Sequence, residues 1–103
     1  MAAGVARERI WLDPGIGFGK TLDHNLTLMT HMDQIVALGF PVLLGVSRKR
    51  FIQSLDPFAT EPAHRLGGSL AAALSGAKAG VAAVRVHDVR ETVQALKVWE
   101  ALT

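Results

Sequence analysis

The chain contains no cysteine. That single absence excludes disulfides, thiolate metal sites and cysteine nucleophiles together. Charge of one sign is scarce too. The formal net charge is only +2 over 103 residues, and the basic residues are dispersed, which argues against a nucleic-acid surface. No apolar run approaches the roughly 20 residues of a membrane-spanning helix. Met1-Ala2-Ala3-Gly4-Val5 is too short and too weakly apolar for a secretory leader, so a cytoplasmic location is expected. Two familiar phosphate loops are missing. The Walker A pattern requires glycine where Pro14 stands ahead of Gly19-Lys20-Thr21. The dinucleotide fingerprint wants glycine or alanine where Lys20 follows Gly15-x-Gly17.

What remains is a chain that is half hydrophobic, enough for one small packed domain over residues 1–103. Ile10-Trp11-Leu12 reads as the middle of a short strand over 9–13. The apolar spacing of Leu22, Leu26, Met29 and Val36, widened by Leu28, Met32 and Ile35, predicts a helix from about Asp23 to Leu38. Gly39 then serves as its C′ residue and Pro41 prevents continuation. Val42-Leu43-Leu44-Gly45-Val46 is continuous enough in apolar residues to be a buried parallel strand. Ser47 is expected to cap a helical turn running to Leu55, which Asp56-Pro57 breaks. A helix from about Ala63 to Ala79 carries Gly67, Gly68 and Gly76, whose best explanation is close packing on a neighbour. Ala83-Val84-Arg85-Val86-His87 is a third strand. Asp88 and Glu91 suggest a capping box for a last helix with Val89, Val93 and Leu96 as its apolar stripe. Three βα units in succession predict an α/β fold with parallel strands and right-handed crossovers.

The polar residues of these strands gather at their C-terminal ends. Period-two alternation puts Trp11 and Asp13 on one face, Gly45 and Ser47 on another, and Arg85 with His87 on the third. Ligands bind at that edge in open α/β sheets and in barrels alike. Taken alone, Asp13-Pro14-Gly15 reads equally well as a connecting turn with a capping Asp. Arg85 and His87 have a structural reading too, as an ion-paired core cluster with Asp88. The site reading is recognition of a polar heterocycle together with an anion. Asp13 would accept paired N–H donors from an amidine-like ring edge, Gly45 would leave room above a ring, and Phe18 would cover it. Lys49 reaches a ring atom, while Ser47, Arg85 and His87 offer donors to carboxylate or phosphate.

Asp13-Pro14-Gly15-Ile16-Gly17-Phe18-Gly19-Lys20, Gly45-Val46-Ser47-Arg48-Lys49, Arg65-Leu66-x-Gly68-Ser69-Leu70-Ala71 and Arg85-Val86-His87-Asp88-Val89 together closely resemble the dihydropteroate synthase family. The order and spacing fit over essentially the whole chain from Gly4 onward. This resemblance implies the C-terminal part of a (β/α)8 TIM barrel, three parallel βα units, with the N-terminal units of the pterin-binding domain absent from these residues. It implies a transferase of folate biosynthesis that joins 6-hydroxymethyl-7,8-dihydropterin pyrophosphate to p-aminobenzoate with release of pyrophosphate. Asp13, Phe18, Gly45 and Lys49 would then serve the pterin, and Ser47, Lys49 and Phe18 the p-aminobenzoate. Arg85 and His87 would bind pyrophosphate. The resemblance implies no covalent or acid–base residue. It brings Mg²⁺ as cofactor with its ligands outside this chain, and a homodimer formed through the outer C-terminal helices. The isolated chain would have no turnover, because the metal-side residues and the closing loops belong to earlier barrel units.

Two other readings compete. A pterin-binding domain of a methyltetrahydrofolate corrinoid methyltransferase shares the barrel. It has no pyrophosphate to hold, which Ser47-Arg48-Lys49 and Arg85-x-His87 would be wasted on. A non-catalytic, self-associating fragment is the third.

Overall fold

The computed structural model describes residues 11–17 and 21–103. A helix α1, Leu22–Thr30, follows the glycine-rich loop and is continued by α2, Met32–Val36. The Thr21 side chain accepts the His24 N–H at 3.2 Å, satisfying one of the free donors at the start of α1. A single helix over 23–38 was expected, and the structure breaks it at His31. The Thr30 hydroxyl donates back to the Leu26 carbonyl at 2.7 Å, and the His31 ring lies 2.9 Å from the Thr27 carbonyl. Such side-chain bonds to the preceding turn compete with the helical ladder and bend it.

Strand β1, Leu43–Gly45, comes next, followed by α3, Phe51–Leu55. A 3₁₀ turn, Pro62–Arg65, leads into α4, Leu66–Ala79. Strand β2, Ala83–Arg85, and α5, Val89–Leu102, complete the order. The helix expected from Ala63 therefore begins as a tighter turn, with Pro62 at its first position. Gly80 ends α4 in the left-handed region at φ 96°, and Gly39 sits at φ 94° after α2. Both are conformations that glycine adopts without a Cβ penalty.

β1 and β2 are paired in parallel with Leu44 opposite Val84 and Gly45 opposite Arg85. Leu12 extends this arrangement through a parallel bridge to Val42, with the Leu43 N–H bonded to the Leu12 carbonyl at 2.9 Å. Of the strand expected at 9–13, residues 9 and 10 lie outside the described residues, and among 11–13 only Leu12 pairs, through this isolated bridge. Three chain segments thus run side by side in sequence order, with α4 as the crossover between β1 and β2.

Val42, Leu44 and Val46 alternate along β1 and are almost wholly buried. They form the core with Ile16, Met32, Phe51, Ile52 and Ala72. Burying each of the larger of these side chains contributes about 1.5–3 kcal/mol. Two of the three α4 glycines are explained by this packing. A Cβ on Gly68 would stand 2.6 Å from Ile52 Cγ2, and one on Gly76 would collide with Leu44 Cδ2. Gly67 has no such neighbour.

The face of α5 turns out differently from expectation. Val89 and Val93 are exposed while Thr92 is buried, with Leu96 and Trp99 half-buried beside it. Asp88 and Thr92 lie one turn apart on one face, and the contacts of Asp88 turn that face inward. Among the described residues, no helix is long and apolar enough to cross a membrane.

Candidate functional site at the strand ends

The chain after β1 is held at almost every atom. Ser47 is buried, and its hydroxyl oxygen accepts the His87 main-chain N–H at 3.2 Å and lies 3.0 Å from His87 Nδ1. It caps no helix. The short helix α3 starts four residues later and has no side-chain cap. Arg48 adopts φ 57°, the one positive value on a non-glycine residue among those described. Its N–H donates to Ser69 Oγ at 2.8 Å, and its carbonyl accepts from Arg65 Nη1 at 3.0 Å.

The Arg48 side chain forks onto Asp88, with Nε at 3.2 Å and Nη2 at 2.9 Å from the two carboxylate oxygens. Asp88 was expected to cap α5 with Glu91; it makes no cap bond. The hydrogen bond from Arg48 holds the Asp88 carboxyl below the usual carboxylate range, and the same bond raises the Arg48 guanidinium. The basic run 48–50 is therefore not one anion-binding patch, since its first member is spent inside the fold.

Lys49 turns toward the glycine-rich loop and donates its ammonium to the Ile16 carbonyl. Its Nζ lies 3.8 Å from where a Cβ on Gly45 would stand, so the absence of a side chain at Gly45 opens space that the lysine overlooks. Asn25, buried on α1, accepts the Gly17 N–H at 2.9 Å and fixes that loop from beneath. Ile16, Gly17, Leu22, Asn25, Lys49 and Arg65 are among the residues that line a cleft of about 610 Å³ beside this loop.

Asp13 and Arg85 meet at the open edge. One Asp13 oxygen accepts the Gly15 N–H at 2.9 Å, and the other faces Arg85 Nη2 at 3.8 Å. Both side chains are well exposed, Arg85 at 64% and Asp13 at 45%. An ion pair that long and that wet contributes little, so either group can leave it for a ligand. Arg85 and His87 do not form a buried cluster with Asp88, which belongs to Arg48.

The strand ends thus bring together Asp13 with Arg85, Ser47 with His87, and Lys49 above Gly17 and Gly45. Phe18 lies outside the described residues. Sequence reasoning missed the supporting residues Asn25, Arg65 and Ser69. Arg65-Leu66-x-Gly68-Ser69 was the available signal, an arginine and a serine one helical turn apart at the start of a strand-packing helix.

A parallel α/β arrangement with donors and one carboxylate at the carboxyl ends of its strands defines a small-molecule site. The pattern of the pterin binding enzyme family matches residues 1–87, and the chain belongs to that family. Within it, the chain is similar to dihydropteroate synthases. It is 54% identical over 103 residues to the enzyme from Neisseria meningitidis serogroup C, covering 99% of this chain and 36% of that relative. For the Escherichia coli K12 enzyme the identity is 46% over 99 residues, covering 96% and 34%. The solved dihydropteroate synthase of Thermus thermophilus superposes with TM-score 0.85 at 56% identity, over 90% of this chain and 37% of that one. The Xanthomonas albilineans enzyme in complex with 7,8-dihydropteroate gives 0.91 at 45% identity, over 96% and 37%. The chain therefore spans about a third of the length of these relatives.

Proposed function

We propose that this chain supplies the pterin-side and anion-side residues of a dihydropteroate synthase, as about three βα units from the C-terminal part of a (β/α)8 barrel. The observation that carries this reading is the convergence of Asp13, Lys49, Ser47, His87 and Arg85 at the same ends of adjacent parallel segments. Asp13 accepts the N–H donors of the pterin ring once it parts from Arg85. Gly45 gives the ring room, Lys49 approaches a ring atom from the loop side, and Phe18 would add cover. Ser47 and Lys49 face the carboxylate of p-aminobenzoate. Arg85 and His87, both exposed, take the pyrophosphate.

The reaction needs little beyond positioning and charge. The bond from the pterin methylene carbon to the pyrophosphate oxygen breaks, and its electron pair leaves with pyrophosphate. The amine nitrogen of p-aminobenzoate then bonds to that carbon and loses a proton. Arg85 and His87 stabilise the departing negative charge, the kind of contribution that dominates such catalysis. Mg²⁺ would assist the leaving group, but the residues here do not fit it. Asp88 is engaged by Arg48, and no group of three or more His, Cys, Asp or Glu among the described residues is arranged to hold a metal. Its ligands belong to other parts of the barrel. The corrinoid methyltransferase reading is not favoured by the relatives, which are dihydropteroate synthases.

Calorimetric titration of the pterin alcohol into the complete barrel tests the assignment. Asp13→Ala should cost on the order of 1.5–3 kcal/mol, the worth of a charge-assisted hydrogen bond. Arg85→Ala should weaken pyrophosphate binding and leave the alcohol unaffected. Unchanged pterin affinity in Asp13→Ala rejects the reading.

A homodimer through the outer helices belongs to the same proposal, supported by exposed apolar residues on two sides of α5, Val89 with Val93 on one and Val98 with Leu102 on the other. Light scattering across a concentration series should show association, and a monomer throughout would remove this part. A cytoplasmic setting completes the reading and is open to cell fractionation.

A further inference from the structure

We infer that Arg65 is a positioning residue, which with Ser69 clamps the backbone of Arg48 in its left-handed conformation and thereby aims Lys49 across the cleft. Arg65 is only 5% exposed. Its guanidinium donates to the carbonyls of Ala59 at 3.0 Å, Arg48 at 3.0 Å and Thr60 at 3.1 Å, and to Gln53 Oε1 at 3.0 Å. All four acceptors are neutral. Burying an arginine without a carboxylate is costly unless its donors are used. Here the fork ties three separate stretches of chain, which the single ammonium of lysine lacks the geometry to do.

The clamp closes on one peptide from both sides. Ser69 donates its hydroxyl to the Arg65 carbonyl at 2.6 Å and accepts the Arg48 N–H at 2.8 Å, while Arg65 itself holds the Arg48 carbonyl. An L-residue with a long side chain resists φ 57°. A strained backbone of this kind persists only when its surroundings over-determine it. The Arg48–Asp88 fork restrains the side chain and leaves the backbone free to turn, so it is not a substitute. The next residue carries the consequence. Lys49 runs over Gly17, its Cδ 3.1 Å from where a Cβ there would sit, and reaches the Ile16 carbonyl. If Arg48 relaxed to negative φ, the Lys49 stem would leave that line.

This inference rests on the functional reading above only for what Lys49 meets; the clamp itself is testable without a ligand. The experiment is NMR of the complete barrel, following three signals. The Arg48 Cα and Cβ shifts report the sign of φ, amide exchange reports the Arg48 N–H, and the side-chain signals of Lys49 report its contact with Ile16. In folded Arg65→Lys, which keeps the charge, the Arg48 shifts should leave the left-handed range. Its amide should exchange about tenfold faster, and the Lys49 contact should be lost. Arg48→Gly in that background should restore the Lys49 contact, because glycine takes positive φ freely. Ala73→Gly, a destabilising change at a buried α4 position outside the clamp, should leave all three signals in place. Should Arg65→Lys fail to fold, Ser69→Ala releases the N–H side alone and the same signals decide. Unchanged Arg48 shifts in a folded clamp variant overturn the inference, as does an equal response to Ala73→Gly. A complete barrel that keeps the clamp and binds no pterin would instead refute the functional reading and leave this one standing.

Discussion

The ends of β1 and β2 carry polar residues of similar kind, yet the fold treats them in opposite ways. After β1, Ser47 is buried, and Arg48 is bonded through its N–H, its carbonyl and its guanidinium. At the end of β2, Arg85 stands 64% exposed with one long ion pair to Asp13. The first region is fixed before any ligand arrives; the second keeps its charge in water. That division suits a site in which a flat ring must be placed accurately and a highly charged anion must come and go. Rigid placement serves near-attack geometry, whereas an exposed cation loses little hydration until its anion binds.

The comparison can be broken at several points. Arg65→Met should have the largest effect. It leaves the carbonyls of Arg48, Ala59 and Thr60 without their donor, and one unsatisfied buried group alone costs about 1–3 kcal/mol. Chemical denaturation should show a loss of at least ~3 kcal/mol, and a smaller loss would mean that water replaces the guanidinium. Ser47→Ala comes next. It removes the partner of the His87 N–H and of the exposed His87 ring, which water can reach, and should cost about 1 kcal/mol in the same assay. Arg85→Met should stay within about 0.5 kcal/mol, as surface substitutions do; a larger loss would erase the contrast between the two ends.

The Arg48–Asp88 fork sharpens the comparison through pH. Asp88 is held below its ordinary value of 3.8 by the hydrogen bond from Arg48. A group with a depressed folded value stabilises the fold above its unfolded value and loses that contribution as pH falls through the folded one. The part of the acid slope due to Asp88 therefore lies below about pH 3.8. Asp88→Asn should flatten that part of the stability curve, an effect kept small by solvent screening. A slope unchanged below about pH 4 would show that the fork is not formed in solution.

Much of this arrangement was legible in the sequence. Val42, Leu44 and Val46 alternate as a buried strand must, and the positions of Asp13, Gly45, Ser47, Arg85 and His87 follow from strand ends plus the period of two. Gly68 and Gly76 were readable as packing glycines because little else explains them in a helix. What escaped reading shares one cause. Arg65, Ser69 and Asn25 act on main-chain atoms, and a carbonyl or N–H leaves no mark in a list of side chains. Asp88 was misread because its sequence neighbour Glu91 made a local partner plausible, whereas Arg48 is remote. The break between α1 and α2 was hidden for the same reason as the clamp, since Thr30 and His31 reach backward to carbonyls. Val89 and Val93 were assigned inward on hydrophobicity alone, while the polar contacts of Asp88 set the rotation of α5.

The two ties that join the strand ends, Ser47 to His87 and Arg48 to Asp88, each span forty residues of chain. A folding molecule must close that whole loop, with α3 and α4 inside it, before either tie exists. Closing a long loop costs entropy that only later contacts return. The helices and their local apolar contacts can form early, so the site is assembled late, on a scaffold already standing. Weakening these ties should consequently hasten unfolding more than it slows folding. The residues that define the chemistry thus come together no earlier than the β1–β2 pairing, which closes the same span of forty residues.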